Sequence, residues 1–338
     1  MKQYSNILLI KPGAVGDLLQ LTPSIRALKR KYPEARISLM VGSEAAAAMF
    51  RNNPNLHETM VFDRKGEHAS LAGFLRLRGR ISRAGYDLVV NFQRSNFRAW
   101  LLAAAAIPCR FLVYRKARGR TVHAVVNHLE TLAPLGIDPA AADPTLEMFL
   151  GEEEKSYTER LFAEAGFGGR TVIALNAGAS NRIKCWSTAN FAVLANRLAA
   201  ELGAGIVLVG GGNERDLAEA IRAGMTGEAL DLVGKTSLTQ LGAVLARCSL
   251  LVSGDTGPLH MATAVGTPVA ALFGAIDPFR TGPVGKGHRV IRHAEISCVP
   301  CVAKTCVNKT HLECMEAITP DEVFDTVVAM LAERKENP

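Results

Sequence analysis

The chain has 338 residues, of which 48% are hydrophobic and 21% charged, and its formal net charge is +7. This length predicts two domains, and the apolar fraction is sufficient for two hydrophobic cores. The longest apolar stretch, residues 99–108, is too short to cross a bilayer, and the N-terminus lacks the pattern of a secretory signal peptide. We therefore expect a cytoplasmic protein whose seven cysteines are thiols or metal ligands rather than a disulfide framework.

Positive charge is concentrated in residues 64–120, where thirteen Lys or Arg residues are opposed only by Glu67 and Asp87. The local balance is +11, which leaves −4 for the remainder of the chain. A basic surface on one domain predicts an anionic partner such as a phosphorylated lipid, a membrane surface or nucleic acid. The alternative is a solvated basic face without a partner.

Apolar runs typical of buried parallel strands alternate with helical patterns in the first part of the chain. Strands are predicted at residues 7–10, 37–41, 88–91 and 111–114, and a helix at residues 18–31. This alternation indicates a doubly wound α/β domain. The proline-containing segment 133–144 is predicted to connect it to a second domain.

A second α/β series follows a helix that begins with three glutamates at residues 152–154. Its predicted strands are residues 172–175, 205–209, 230–233, 250–252 and 269–273. We predict an N-terminal domain (1–150), a C-terminal domain (151–320) and a last segment (321–338) whose helix packs back on the N-terminal domain. Tandem domains of this kind place a ligand cleft between the carboxyl ends of their strands.

The turn after the first strand reads KPGAVGDL over residues 11–18. Gly13 and Gly16 permit a sharp turn, but the G-x-G-x-x-G spacing of a dinucleotide site is absent. Asp17 has two interpretations: an N-cap of the next helix, or a carboxylate at the strand end that can accept a proton.

The sequence VSGDTGPLHMA at residues 252–262 joins a predicted strand to a predicted helix. Proline suits the first helical turn, and the unpaired N–H groups with the positive end of the helix dipole favour an anion such as diphosphate. The alternative is an ordinary cap by Asp255 or Thr256. Arg182 and Lys184, in the loop after the strand at 172–175, are expected at the same sheet edge and could neutralise a diphosphate.

Two glycine-containing turns follow other predicted strands. The GGGNE sequence at residues 210–214 is placed to lie near a nucleoside. The GKT sequence at residues 234–236 is not a P-loop, because the required earlier glycine would fall at Ala229.

Four late cysteines form a C-x2-C-x4-C-x7-C series: Cys298, Cys301, Cys306 and Cys314. Cysteine thiolates bind Zn²⁺ and iron–sulfur clusters, so a structural metal is one interpretation. Free thiols or a disulfide pair are the alternatives, and we expect no catalytic metal.

Together these motifs resemble the ADP-heptose–lipopolysaccharide heptosyltransferase family, which is glycosyltransferase family 9. The residues that carry the resemblance are 7–11 with 16–18, 184–187, 210–214 and 255–260. The resemblance implies a GT-B fold, with two Rossmann-like doubly wound domains facing a central cleft. It also implies that the N-terminal domain takes a lipid-linked sugar acceptor and the C-terminal domain takes ADP-heptose.

The resemblance implies that Asp17 is the general base and that Lys184 contacts the donor diphosphate. The donor-binding candidates are Ser180, Asn213, Glu214, Thr236, Asp255, Thr256, Gly257 and His260. The acceptor-binding candidates are Gly13, Gly16, Arg94, Arg98, Arg115, Arg118 and Arg120. Ala179 and Gln20 stand where some members have a hydroxyl residue and a histidine, which leaves the exact sugar and acceptor open.

The leading hypothesis is an inverting, metal-independent glycosyltransferase that moves heptose from ADP-heptose to a phosphorylated lipopolysaccharide inner-core acceptor. We expect it to act at the inner face of the cytoplasmic membrane, with no cofactor for catalysis and no nucleic acid partner. The alternatives are a nucleotide-sugar epimerase, another GT-B sugar transferase, or a metal- or redox-responsive binding protein built around the four cysteines.

Overall fold

The computed structural model describes residues 2–93, 97–117, 121–301, 303 and 305–336. The chain forms two units, Met1–Phe149 and Leu150–Pro338. Each unit has its own parallel sheet. The central strands of both sheets are buried apolar runs, which is typical of parallel sheets covered on both faces, whereas the outer strands are partly exposed. Within the described ranges, no helix is long and apolar enough to cross a bilayer.

The sheet of the first unit has the order β3-β2-β1-β4-β5, with every pairing parallel. Its strands are β1 (Asn6–Ile10), β2 (Arg36–Val41), β3 (Glu58–Val61), β4 (Leu88–Asn91) and β5 (Arg110–Val113). Its helices are α1 (Val15–Leu19), α2 (Thr22–Lys31), α3 (Glu44–Ala48), α4 (Leu71–Arg83), α5 (Phe97–Ala104) and α6 (Ala124–Glu130).

The helix predicted at residues 18–31 is two helices in the structure, α1 and α2. Pro23 lies in the first turn of α2, and it has no backbone N–H to continue a helical hydrogen bond from residue 19. The Thr22 hydroxyl instead donates to the Leu19 carbonyl at 2.8 Å. The prediction of one continuous helix was therefore wrong at this proline.

The segment at residues 133–144, which we expected to connect the domains, belongs to the first unit. Arg26 holds it: the guanidinium donates to the carbonyls of Asp143 and Thr145 at 2.7 and 3.0 Å and forms an ion pair with Asp143 at 3.1 Å. The division between the units lies after Phe149.

The sheet of the second unit has the order β8-β7-β6-β9-β10-β11, again with parallel pairings. Its strands are β6 (Val172–Asn176), β7 (Gly205–Leu208), β8 (Leu230–Asp231), β9 (Leu250–Ser253), β10 (Val269–Leu272) and β11 (Arg289–Ile291). Its helices are α7 (Glu152–Glu164), α8 (Thr188–Leu202), α9 (Arg215–Ala223), α10 (Leu238–Arg247), α11 (Gly257–Ala264), α12 (Pro278–Thr281), α13 (Glu313–Glu316) and α14 (Pro320–Glu336).

In both parallel sheets the chain first adds strands on one side of the central strand and then continues on the other side, which is the Rossmann arrangement. We call the point between these two halves the strand reversal. In the first unit the reversal lies between β1 and β4, and in the second unit it lies between β6 and β9. Ligands of doubly wound sheets bind outside the carboxyl ends of the strands at this point. A ligand site is therefore expected at the residues that follow β1, β4, β6 and β9.

The last helix, α14, which we expected to pack on the N-terminal domain, belongs to the second unit and contacts α8, β10 and β11 there. The segment before α14 also contacts the loop after β6, since the Trp186 indole N–H donates to the Ile318 carbonyl at 2.8 Å. Val323 and Val327 of α14 are fully buried in the core of the unit.

Candidate functional site

Asn176, the last residue of β6, is a buried hydrogen-bonding centre at the strand reversal of the second unit. Its side-chain oxygen accepts from the hydroxyls of Ser253 and Thr256, each at 3.0 Å. Its side-chain nitrogen donates to the Val209 carbonyl at 3.0 Å and lies 3.4 Å from a Glu214 carboxylate oxygen. One amide thus joins the ends of β6, β7 and β9.

Thr256 is the N-cap of α11, and Pro258 lies in the first turn of that helix. The Thr256 hydroxyl accepts from the Leu259 backbone N–H at 3.4 Å and lies 2.9 Å from the Ser253 hydroxyl. The first turn of α11 therefore begins at the end of β9, where its N–H groups and dipole favour a negative charge. Of the two capping candidates, Thr256 rather than Asp255 is the cap.

Lys184 and Asp255 form an ion pair at 2.6 Å beside this helix end, with side chains that are 19% and 11% exposed. The Lys184 side chain comes from the loop after β6. This loop contains a short helical turn, Arg182–Lys184, which is capped by the Asn181 side chain. His260, one turn into α11 and 5% exposed, has its Nε2 atom 4.0 Å from the Asp255 carboxylate. The structure thus brings three of the predicted donor-site residues together.

Glu214 lies half-buried above two glycines of the same sheet edge. Its carboxylate accepts from the Gly211 backbone N–H at 3.0 Å. A Cβ atom at Gly178 or at Gly210 would overlap this carboxylate, and Gly210 also has a φ of +158°. Burial raises the pKa of Glu214, while the hydrogen bonds from Gly211 and Asn176 oppose the shift.

The other donor candidates differ in exposure. Ser180 and Asn213 are exposed, and Thr236 and Gly257 are half-buried. Gly234, two residues before Thr236, donates its backbone N–H to the Gly210 carbonyl at 3.0 Å. The loops after β7 and β8 are therefore adjacent, which places Thr236 near the GGGNE turn.

In the first unit, Asp17 is the third residue of α1 rather than its N-cap, and it is exposed. Its carboxylate accepts from the Ala14 backbone N–H at 3.3 Å and lies 3.6 Å from the buried ammonium of Lys11. Lys11 follows β1 directly, so this pair lies at the strand reversal of its own sheet. An exposed carboxylate at this position can accept a proton from a ligand.

His128 is buried in the first unit near Lys11. Its Nδ1 atom is 3.2 Å from the Gln20 carbonyl, so this nitrogen carries the proton, and the ring packs on Phe92 and Tyr114. Burial, and next the positive charge of Lys11, lower the pKa of His128 from 6.5 to about 4. The imidazole is therefore neutral at pH 7.

The acceptor candidates of the first unit differ in exposure. Gly13, whose φ of +153° favours glycine, and Gly16 are half-buried in the turn before and within α1. Arg98 and Arg115 are exposed. Arg94, Arg118 and Arg120 lie outside the described residues.

The four late cysteines line one small cavity of the second unit: Cys298, Cys301, Cys306 and Cys314. Three of the sulfurs accept hydrogen bonds, from the Asn308 side chain to Cys298, from the Ala303 N–H to Cys301 and from the Leu312 N–H to Cys306. Burial raises the pKa of Cys314, and so do the other three thiols. Among the described residues, however, no three ligand side chains are grouped closely enough to hold a metal ion.

Sequence reasoning assigned no role to Asn176 or to its partner Ser253, and none to Lys11 or His128. Asn176 and Ser253 share a signal, since each is a polar residue at the end of a buried apolar strand. Lys11 has the same signal after β1. His128 has none, because it lies on α6 and reaches Lys11 only through the tertiary fold.

Comparison with known proteins shows the family of this chain. The family model described as glycosyltransferase family 9 (heptosyltransferase) matches residues 74–312. The chain belongs to glycosyltransferase family 9. It is therefore a glycosyltransferase, and this finding favours the predicted transferase over an epimerase or a non-enzymatic binding protein.

Relatives of this family 9 glycosyltransferase include the lipopolysaccharide heptosyltransferase 3 of Escherichia coli, 28% identical over 78% of this chain and 81% of the relative. The structure of the E. coli ADP-heptose LPS heptosyltransferase II is similar with a TM-score of 0.79, at 23% identity, covering 98% and 99% of the two chains. A third protein, the iron-containing dodecameric glycosyltransferase TibC of enterotoxigenic E. coli, is similar with a TM-score of 0.61, at 14% identity, covering 99% of this chain and 77% of TibC. The two structural likenesses agree with the predicted α/β fold.

The packing of Glu214 over Gly178 predicts a strong coupling between these positions. Gly178→Ala should lower the free energy of unfolding by about 1–3 kcal/mol, because the new methyl group displaces the carboxylate. In a Glu214→Ala background the same change should cost much less, and urea unfolding of the four proteins measures the difference. Gly227→Ala is the matched control, since a Cβ there meets no atom within 4 Å. Equal losses in both backgrounds would contradict the described contact.

Buried, neutral His128 predicts a pH-dependent stability. Its folded pKa of about 4 lies below the ordinary value of 6.5, so the unfolded chain binds the proton more tightly. The contribution of His128 to the free energy of unfolding is therefore complete above pH 6.5. It falls by about 3 kcal/mol as the pH is lowered towards 4. Urea unfolding at a series of pH values should show this loss, and His128→Gln should remove it, whereas replacing the exposed His57 should not. An unchanged pH dependence in His128→Gln would show that another group is responsible.

Proposed function

We propose that this enzyme transfers heptose from ADP-heptose to a phosphorylated inner-core sugar of lipopolysaccharide, with inversion at the anomeric carbon. The observation that carries the proposal is the largely buried Lys184–Asp255 pair beside the first turn of α11, at the strand reversal of the second unit. The names of the relatives support the same donor and acceptor class.

The donor diphosphate would bind at the N-terminus of α11. Lys184 donates one of its three N–H groups to Asp255 at 2.6 Å, which leaves two for phosphate oxygens. Asp255 thereby orients the ammonium, and the backbone N–H groups of the first helical turn supply further positive charge. Positive groups fixed before the reaction stabilise the charge that develops on the departing ADP.

The acceptor hydroxyl would be activated by Asp17 of the first unit. As the hydroxyl oxygen bonds to the anomeric carbon of heptose, the bond from that carbon to the β-phosphate oxygen breaks and ADP leaves with the electron pair. The acceptor proton passes to the Asp17 carboxylate. Lys11, 3.6 Å from that carboxylate, keeps it oriented. This route uses only groups of the protein, so we propose that catalysis requires no cofactor.

The acceptor would be held by the basic surface of the first unit. Arg98 and Arg115 are exposed, and guanidinium groups form paired hydrogen bonds with phosphate. A phosphorylated, lipid-linked acceptor places the enzyme at the inner face of the cytoplasmic membrane.

The two roles predict a separation between chemistry and donor binding. Asp17→Asn should lower the transfer rate by about 10²–10⁴ while the affinity for ADP-heptose is unchanged, because the amide cannot accept the proton. Lys184→Ala should weaken ADP-heptose binding by about tenfold or more, because a charge-assisted hydrogen bond is lost and Asp255 is left unpaired. Steady-state transfer and calorimetric titration with ADP-heptose measure the two effects.

Glu34→Gln is the matched control, since it removes an exposed carboxylate elsewhere in the first unit. Near-normal transfer by Asp17→Asn would contradict its assignment as the base. Unchanged donor affinity in Lys184→Ala would contradict the proposed diphosphate site.

We also propose that the four late cysteines bind a structural metal, zinc or iron. Four thiols are a donor set that both metals accept, and N–H groups already point at three of the sulfurs, as they do around metal-bound thiolates. The thiols line one cavity without being grouped at binding distances, so metal binding would draw them together. The iron in TibC supports the proposal at the level of a structural neighbour.

Elemental analysis of protein purified without chelators tests this assignment. We expect about one zinc per chain with no visible absorption, or iron with a coloured protein, and Cys298→Ser should lower the content. Cys248→Ser, which alters a buried thiol outside the cavity, should leave it unchanged. A metal-free protein with four titratable thiols in the cavity would show the proposal to be wrong.

A further inference from the structure

Helix α4 presents leucines to solvent. Ser70 caps the helix by accepting from the Gly73 N–H at 3.1 Å, and Leu77 and Ile81 bury the inner face in the core of the first unit. Leu71 and Leu75 lie four residues apart on the outer face, and they are 73% and 51% exposed. A helix that only covers a sheet would carry polar residues at these positions.

The charges that surround these leucines are positive. Arg76, Arg78, Arg80 and Arg83 are all exposed on α4, and the helix contains no acidic residue. Arg80 pairs with Glu58 at 2.5 Å and Arg76 lies 3.7 Å from Glu67, so the helix still has an excess of positive charge. Long arginine side chains can lie along an apolar surface while their guanidinium groups reach lipid phosphates.

The size and shape of this surface suit a lipid bilayer better than a protein partner. Thirteen residues of helix extend about 20 Å, which is a suitable length for lying in the headgroup region. Two leucines on a convex helix offer far less than the roughly 800 Å² per partner of a standard protein interface. Apolar insertion combined with arginine–phosphate attraction is how interfacial helices bind anionic membranes.

We propose that the outer face of α4 is the membrane-contact surface of this enzyme, with Leu71 and Leu75 inserted among anionic lipids and the arginines on their headgroups. This inference rests on the proposed function, because it gives the enzyme its position beside a lipid-linked acceptor. The outer face of α4 contains neither Asp17 nor any of the donor candidates.

Co-sedimentation with vesicles tests the surface directly. The enzyme should bind vesicles of phosphatidylcholine containing phosphatidylglycerol and bind pure phosphatidylcholine weakly. Leu71→Gln/Leu75→Gln should weaken binding by about tenfold or more, because two apolar side chains no longer leave water. Glutamine preserves helix propensity, and circular dichroism and thermal unfolding establish that the variant is folded.

The matched control is Val193→Gln/Val328→Gln, which removes two partly exposed apolar side chains from α8 and α14 of the second unit. It should bind vesicles like the parent enzyme. Arg76→Gln/Arg78→Gln should also weaken binding, and it should reduce the loss of binding that added salt causes in the parent enzyme.

Three results would overturn the proposal: no binding to anionic vesicles, equal binding by the leucine variant and its control, or equal binding to neutral and anionic vesicles. A dimer in analytical ultracentrifugation that the leucine variant abolishes, without vesicle binding, would assign the surface to a second copy instead.

Transfer to a water-soluble acceptor fragment separates this proposal from the proposed function. The leucine variant should retain that activity while losing vesicle binding. If no variant or parent transfers heptose, the proposed function fails, and the vesicle measurements still decide the role of α4.

Discussion

The buried amide of Asn176 fixes the arrangement on which the proposed donor site depends. It accepts from hydroxyls that end β9 and begin α11, and it donates towards the end of β7 and towards Glu214. A buried amide stabilises the fold only when both ends are paired, so these contacts hold three strand ends in one register. Because Thr256 takes part, the same network positions the first turn of α11.

The ion pair of Lys184 and Asp255 follows from this arrangement. Asp255 lies between Ser253 and Thr256, so its carboxylate is placed by the residues that bind Asn176. Its position at the helix terminus lets one carboxylate hold Lys184 at 2.6 Å and approach His260 at 4.0 Å. The low exposure of all three side chains reduces solvent screening, which makes the local field stronger than that of a surface ion pair.

The first unit has the same topology, but the charged residues at its strand ends are arranged differently. Its strand reversal ends in Lys11 and Asn91, and the cation there meets an exposed carboxylate instead of a buried one. A neutral, buried His128 lies near that cation and adds no charge to the pair at pH 7. Asp17 is therefore open to solvent, whereas Lys184, Asp255 and His260 are largely enclosed.

The sequence by itself determined the alternation of strands and helices and the polar residues that end the strands, since both are local patterns. The strand at residues 88–91 and the helix from Glu152 agree with the predictions, because an apolar run and a first turn of acidic residues are both patterns of neighbouring residues. The short, partly exposed strands β3 and β11 have no such apolar run and were missed. Tertiary structure alone decided which strand ends are adjacent. Asn176 accepts a hydrogen bond from Ser253, which is 77 residues away in the chain, and Lys11, after β1, lies near His128 of α6. Strand pairing sets these contacts, and a local pattern carries no information about which strands pair.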